Sequence, residues 1–418
     1  MRVGLSFEDV IENILYSSSK LKIYLEDNNL KKQLIQRAEL EYTLRFPLIS
    51  IVIMTFNEER CINRCLNSVK NLADEIIIID TGSTDNTLNI IKDNFPNVKI
   101  YNEKWNNDFS EVRNKLIDYA SYEWVFQLDA DEYISDEVLH GIKKVISLVE
   151  SIPIDPIVIS PIIINHDESE LFQTKRIFKK NIELKYFGLA HEELRFNNNP
   201  SVEYIVIKYK IFHDGYNEEI ISSKDKDNRN FHLINETLKL EPKNLRWYYF
   251  FGREGISLKI SKEIIESKLD YAISNNFYDP HGYESGIYTL LMELNLNDKQ
   301  KLDAYIQRAM KKNINLMEIY FYKFLGEELN RKMLTTEGVL NNVNELRSLP
   351  NPYSLINSNG DHLFHAWGWS YFEIKDYELA LSMWMKINSL ELKKNIRDEL
   401  FNISEEINNI SKELNQGG

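Results

Sequence analysis

This chain has little sulfur. Its 418 residues hold two cysteines, Cys61 and Cys65. At i, i+4 they share one face of a helix, which suits a pair of reduced, small apolar side chains. A metal or redox centre there would need further ligands nearby, and the flanking sequence offers none. Long apolar runs are also missing. Ile76–Ile79 and Pro156–Ile164 fall far short of the roughly 20 residues that cross a bilayer, so no membrane insertion is expected. Positive charge is in deficit, with 50 Lys and Arg against 64 Asp and Glu, a net charge of −14. A nucleic-acid binder would show a basic face, so no nucleic-acid partner is expected, whereas a cationic peptide is compatible. The first ten residues place Glu8 and Asp9 where a secretory signal would carry its apolar core. A cytoplasmic location is the expectation.

What is present describes a folded protein. An apolar fraction of 43% and a charged fraction of 27% leave no large part that must be disordered. The length suggests two or three domains. Residues 8–45 read as helix, because Val10, Ile14, Leu15, Leu21 and Leu25, then Leu30, Leu34 and Ala38, keep helical spacing. Phe46-Pro47 ends that pattern. From Leu48, short apolar strands alternate with amphipathic helices. Strands are expected at 48–54, 75–79, 98–101 and 124–128. Helices are expected at about 58–71 and 84–94, the second capped by Ser83, and a further helix is capped by Ser110. Continuously apolar strands belong in a sheet covered on both faces. The alternation argues a mostly parallel, doubly wound α/β sheet.

Further strands are expected at Ile157–Ile164 and Tyr204–Phe212, flanking a turn-rich region with Gly188-Leu189-Ala190-His191-Glu192-Glu193. Beyond about 228 the pattern is helical. Trp247–Gly252 followed by Leu269–Ala272, and Trp367–Phe372 followed by Tyr377–Ala380, resemble degenerate tetratricopeptide units. Their aromatic stripes read first as helix core; a groove between stacked pairs is the other use, suited to a leader peptide. Three segments result: N-terminal helices (1–46), an α/β domain (47–228) and a helical repeat-like domain (229–418) for acceptor binding or dimerisation.

The chemistry sits at strand ends. In an open parallel sheet, ligands bind outside the carboxyl ends of the strands, and Asn57, Asp80 and Asp129 are expected there. Asp129 and Asp131, in Leu128-Asp129-Ala130-Asp131-Glu132, offer the hard oxygen ligands that Mg²⁺ or Mn²⁺ prefers. A cation there would neutralise a diphosphate and help it leave. An EF-hand is excluded because the required glycine and distal glutamate are absent. Asp80, after four isoleucines, is placed to accept hydrogen bonds from a base or ribose, or else to cap the next helix with Ser83. Arg113 and Arg176 are suited to phosphate charge or to structural ion pairs. Trp105 and Phe109 are suited to stacking on base or sugar, or to core packing.

Thr55-Phe56-Asn57-Glu58, Asp80-Thr81-Gly82-Ser83-Thr84-Asp85 and Asp129-Ala130-Asp131 come in the order and spacing of GT-A fold, family 2 glycosyltransferases. Trp105-Asn106-Asn107-Asp108-Phe109-Ser110 with Arg113-Asn114, then His191-Glu192-Glu193 and His213-Asp214-Gly215-Tyr216, narrow the match. Together they resemble the glycocin peptide S-glycosyltransferases of the sublancin type, which join a GT-A domain to a tetratricopeptide-like helical region. The resemblance implies inverting transfer of a hexose, usually glucose, from a UDP-sugar to a cysteine of a bacteriocin precursor peptide. It implies a donor site at Thr55, Asn57, Glu58, Asp80, Ser83, Trp105, Arg113 and Asp129. Asp80 would contact uridine, and Asp129 and Asp131 the ribose, cation and diphosphate. His213 is a candidate third cation ligand.

Inversion requires a base on the acceptor side. Glu192 is the first choice, His191 the second, and Glu193 lies in the same region. A thiol, with a pKa of about 8.5, asks little of such a base; serine is not excluded. UDP-glucose and UDP-N-acetylglucosamine are both possible donors, and a homodimer is compatible with the helical domain. Two alternatives stand. One is transfer to an envelope glycan of the lipopolysaccharide-core type. Related family 2 members carry the same His-Glu pair; a processive polysaccharide synthase is disfavoured, because Gln173-Thr174-Lys175-Arg176 lacks the tryptophan that such synthases carry next. The other is a helical-repeat peptide adaptor with an inactive transferase domain, which intact Asp129 and Asp131 oppose.

Overall fold

The computed structural model describes residues 5–416 apart from 167, 173, 182, 214–222, 315, 330–344, 347–353 and 355–358. Gln173 and Asp214-Gly215-Tyr216 of the sequence motifs therefore lie outside the described residues. The chain forms two compact units, Met1–Pro242 and Lys243–Gly418.

The first unit opens with helix α1 (Phe7–Glu12), strand β1 (Ile14–Ser17) and helices α2 (Ser19–Glu26) and α3 (Asn28–Leu44). Then β2 (Ile49–Thr55), α4 (Ile62–Val69), β3 (Glu75–Asp80), α5 (Thr87–Asn94), β4 (Lys99–Asn102), α6 (Phe109–Tyr119) and β5 (Trp124–Asp129) alternate. They lead to β6 (Glu132–Ile134), α7 (Asp136–Glu150), β7 (Ile157–Ile164), β8 (Glu170–Leu171) and β9 (Ile177–Lys179). The hairpin β10 (Leu184–Phe187) and β11 (Glu193–Phe196), strand β12 (Glu203–His213) and helix α8 (Ser223–Leu240) complete it.

The main sheet runs β1-β12-β7-β9-β5-β2-β3-β4, with β6 on β12 and β8 on β7. It is GT-A-like and mixed. β5, β2, β3 and β4 are mutually parallel, as are β7 and β12. β9 lies antiparallel between β5 and β7, because no helical crossover separates it from β7 and the chain simply turns back. The alternation of side chains builds two cores. Ile49, Ile51, Ile53, Ile76, Ile78 and Phe126 face α4 and α7 on one side. Val52, Ile77, Ile79 and Val125 face α6 and the β10–β11 hairpin on the other. Burying one such side chain stabilises the fold by about 1.5–3 kcal/mol.

The N-terminal segment departs from its periodicity. Asn13 caps the end of α1, and Ile14–Ser17 is a strand, not helix, paired antiparallel to β12. The open edge of β12 offers unpaired backbone groups that β1 satisfies, and tertiary pairing overrides the local helical spacing. Phe7, Val10, Ile11, Leu21, Leu34 and Ala38 join the same core as β2 and β3.

The second unit contains α9 (Leu245–Ser257), α10 (Lys262–Ser274), α11 (Tyr283–Leu294), α12 (Lys299–Lys311) and α13 (Met317–Leu329), then α14 (Asp361–Glu373), α15 (Tyr377–Trp384) and α16 (Leu390–Gln416). α9 packs on α10 and α11, and α11 on α12 and α13, the contact pattern of stacked helix pairs. Trp247, Phe251, Trp367 and Tyr371 are buried, so the aromatic stripes are helix core. Gly252 allows this packing, because a Cβ there would meet Leu269 and Leu290 at 2.9 Å.

Candidate active site

Strand register brings the acidic residues together. Thr55 on β2 pairs with Asp80 on β3, and Met54 pairs with Asp129 on β5. Thr55, Asp80 and Asp129 thus stand side by side at the carboxyl ends of three adjacent parallel strands, where an open sheet binds ligands.

The loops after β2 and β3 are stitched to each other. Asn57 adopts a positive φ of 56°. Its Oδ1 accepts from the Thr84 N–H at 2.7 Å, and its own N–H donates to Ser83 Oγ at 2.9 Å. The Glu58 N–H donates to Thr87 Oγ1 at 2.7 Å. These bonds correct the expected helix start. α5 begins at Thr87, and Ser83 receives the Asn57 N–H instead of capping the helix. Asp108, not Ser110, caps α6, accepting from the Glu111 N–H at 3.0 Å.

Asp80 is 2% exposed. Its Oδ1 accepts from the Gly82 and Ser83 N–H groups at 3.0 and 2.9 Å, and Gly82 makes this tight turn at φ 114°, which favours glycine. Asp80 Oδ2 and Thr55 Oγ1 are buried with no partner among the described residues. A buried polar atom left without a partner is costly, and a donor group from a ligand relieves that cost.

Asp129 lies between two guanidinium groups. Arg113 Nη1 stands 3.1 Å from its Oδ1, and Arg176 Nη2 2.9 Å from its Oδ2. Burial acts to raise the Asp129 carboxyl, but Arg113 and Arg176 outweigh it and hold the group well below the usual carboxylate range. Arg176 also pairs with Glu132, whose Oε2 accepts from the Asp129 N–H at 2.9 Å. Burial pushes Glu132 up to about 7, opposed by Arg176 and assisted by Asp129. Arg113 also pairs with Glu192, and its guanidinium lies 5.6 Å from the Tyr186 ring centroid. Arg113 therefore links Asp129 at the strand end to Glu192 in the loop before β11.

His213 Nε2 stands 3.1 Å from Asp131 Oδ2. That hydrogen bond raises the histidine above its usual value, against its burial. Asp129 does not join this pair; its oxygens face the arginines. Among the described residues no group of three or more His, Cys, Asp and Glu forms a cation cage. Asp131 and His213 still supply a hard oxygen and an imidazole nitrogen at adjacent positions. That suits Mg²⁺ or Mn²⁺, which complete their shells with phosphate oxygens and water.

The loop over residues 188–192 is held from two helices. The Phe109 N–H donates to the Leu189 carbonyl at 3.1 Å, and the Leu189 N–H to Thr237 Oγ1 on α8 at 3.1 Å. Asn114 on α6 exchanges two hydrogen bonds with the Tyr186 backbone, at 3.0 and 2.8 Å. His191 adopts a positive φ of 51°. Glu193 is buried in β11 and pairs with Arg195, which also reaches Glu241, so it serves the hairpin. Trp105 packs edge-on against Phe109 at 4.7 Å and donates from Nε1 to Asn107 Oδ1 at 3.0 Å.

Sequence reasoning gave no role to Glu132, Tyr186 or Asn165. The signal that could have found Glu132 is its place directly after Asp129-Ala130-Asp131; Tyr186 and Asn165 carry no comparable signal.

Residues 50–221 match the glycosyl transferase family 2 model. The SPbeta prophage-derived glycosyltransferase SunS of Bacillus subtilis (strain 168) is 33% identical over 360 residues, covering 85% of this chain and 84% of the relative. The glycosyltransferase SunS of Bacillus phage SPbeta matches to the same extent. The crystal structure of S. aureus TarS 1-349 in complex with UDP-GlcNAc is 16% identical, covers 70% of this chain and 95% of that one, and has a TM-score of 0.37.

Proposed function

The chain belongs to the family 2 glycosyltransferases, and from that premise we propose an inverting, cation-dependent transfer of a hexose from a UDP-sugar to a cysteine thiol of a bacteriocin precursor peptide. Glucose is the proposed hexose, with N-acetylglucosamine the other donor sugar and serine the other acceptor. The observation that carries this proposal is the placement of Asp80 and Asp129 at the carboxyl ends of the two strands that flank β2, with Asp131 just beyond Asp129 and paired with His213. The relatives that span most of the chain support the class of enzyme.

Asp80 receives the uridine, through the carboxylate oxygen that lacks a partner. Thr55, Asn57, Glu58 and Ser83 shape the wall around it, and Trp105 flanks it. Asp129 takes the ribose, while Arg113 and Arg176 face the diphosphate. Asp131 and His213 would hold Mg²⁺ or Mn²⁺, which would neutralise the diphosphate and assist its departure. Glu192 takes the thiol proton, with His191 second in line. As sulfur bonds to the anomeric carbon from the opposite face, the bond from that carbon to the UDP oxygen breaks. UDP leaves with the electron pair, and the configuration inverts. Arg113 steadies Glu192, and a thiol asks little of a base. The helical unit binds the acceptor peptide or pairs with a second copy, and the reaction takes place in the cytoplasm.

The test is incubation of the full chain with UDP-glucose, Mn²⁺ and a cysteine-bearing precursor peptide, followed by mass spectrometry. A hexose added to the cysteine is expected, and none with Asp131→Ala. An unchanged peptide alongside active UDP-glucose hydrolysis would overturn the peptide acceptor.

A further inference from the structure

His213 has two ring nitrogens. Nε2 faces Asp131, while Nδ1 lies 3.0 Å from Oδ1 of Asn165. Asn165 directly follows β7, in the turn that returns to β8. That turn holds Asn165 through three hydrogen bonds. The Asn165 Nδ2 donates to Ser169 Oγ at 3.0 Å. Its backbone N–H donates to the Ser169 carbonyl at 2.9 Å, and its carbonyl accepts from the Glu168 N–H at 3.0 Å. With the amide nitrogen engaged by Ser169, the oxygen faces the imidazole. An amide oxygen only accepts, so Nδ1 carries the hydrogen.

We infer that Asn165 is a positioning residue for the cation site, holding His213 in the Nδ1–H tautomer so that Nε2 points at Asp131 and the cation. The inference rests on Asp131 and His213 being the cation ligands, as proposed above. Its physical basis is general. A neutral imidazole ligates through the nitrogen that lacks hydrogen, and the bond made by the other nitrogen decides which one that is. Without that bond the ring turns more freely and populates the Nε2–H form, which cannot ligate. Loss of such an outer partner typically weakens metal binding about 10–100-fold.

The test uses the full chain with Asn165→Ala and Asn165→Asp, and His213→Ala as reference. Histidine side-chain ¹⁵N NMR on the protein with Mg²⁺ and UDP bound, at a pH where the ring is neutral, reads the tautomer. Electron paramagnetic resonance of free Mn²⁺, titrated in the presence of UDP, reads the affinity. In the wild-type protein His213 is expected as Nδ1–H. Asn165→Ala shifts it toward Nε2–H and weakens Mn²⁺ binding by about 10–100-fold. Asn165→Asp keeps an acceptor oxygen in place and retains the tautomer and most of the affinity. Wild-type tautomer and affinity in Asn165→Ala overturn the inference. So does equal loss in both variants, which would make Asn165 a turn residue only. Unchanged Mn²⁺ affinity in His213→Ala overturns the ligand assignment, and the inference with it.

Discussion

Nε2 of His213 lies 3.1 Å from Oδ2 of Asp131, although 82 residues separate them in the chain. The short strand β6 makes this approach possible. It pairs antiparallel with the end of β12, placing His213 opposite Glu132 and so beside the preceding Asp131. If this pair holds the cation, either ligand is indispensable. Asp131→Ala and His213→Ala should each lower Mn²⁺-dependent UDP-glucose turnover by about 100-fold or more. EDTA should silence the wild-type protein, and added Mn²⁺ should restore it. Full turnover in the presence of EDTA would rule out cation dependence.

Arg113 is the other junction. Its guanidinium is buried, with Asp129 on one side and Glu192 on the other. Burial works against the charged form, and Asp129 and Glu192 reverse that, raising Arg113 well above its usual value. Truncation leaves two largely buried carboxylates short of a partner. Arg113→Met should cost about 3–5 kcal/mol in urea unfolding and most of the turnover. Arg113→Lys should recover only part of either, because an ammonium lacks the planar fork that reaches two carboxylates. A lysine variant with wild-type stability and turnover would remove the bridging role.

At the opposite end of the sheet, Glu75 gives a pH signature in stability. Its Oε2 accepts from Ser50 Oγ at 2.7 Å and the Ser121 N–H at 2.8 Å, and Lys99 pairs with Oε1. Burial acts to raise Glu75, but Lys99, Ser50 and Ser121 outweigh it and bring the group from 4.5 down to about 2. The folded value is below the unfolded one. The stabilisation is therefore fully present above pH 4.5 and is lost as pH falls towards 2. Glu75→Gln should reduce stability at pH 7 by about 2–3 kcal/mol. The difference from wild type should shrink steadily below pH 4.5. Equal differences at pH 7 and pH 3 would contradict this.

The strand-end residues were legible because their signal is local. Four isoleucines before Asp80, and an apolar run before Asp129, mark buried parallel strands whose ends must lie at one edge. The His213–Asp131 pair followed only from family resemblance; the β6–β12 pairing that creates it has no sequence period. Two arginines closing on Asp129 were also hidden, since Arg176 arrives from the stretch before β9, an antiparallel strand in a region that reads as turn-rich. β1 shows the same limit from the other side. Its helical spacing was real, and the free edge of β12 won.

Glu192, the proposed base, yields the sharpest contrast. Glu192 is placed by Arg113, and the loop carrying it is fixed through Leu189 to α6 and α8. Glu192→Gln keeps the shape and one hydrogen-bond acceptor but cannot take a proton. Peptide transfer near pH 7 should fall by about 100-fold or more, while UDP binding is unchanged. Raising the pH should restore much of the rate with a cysteine acceptor, because a thiol ionises by itself near about pH 8.5. A serine acceptor should show no such recovery, since an alcohol stays protonated throughout. Measuring kcat against pH for both peptides separates proton abstraction from mere positioning. Recovery with cysteine alone assigns the proton to Glu192. A pH-independent loss with both peptides makes Glu192 a structural partner of Arg113 and moves the base to His191.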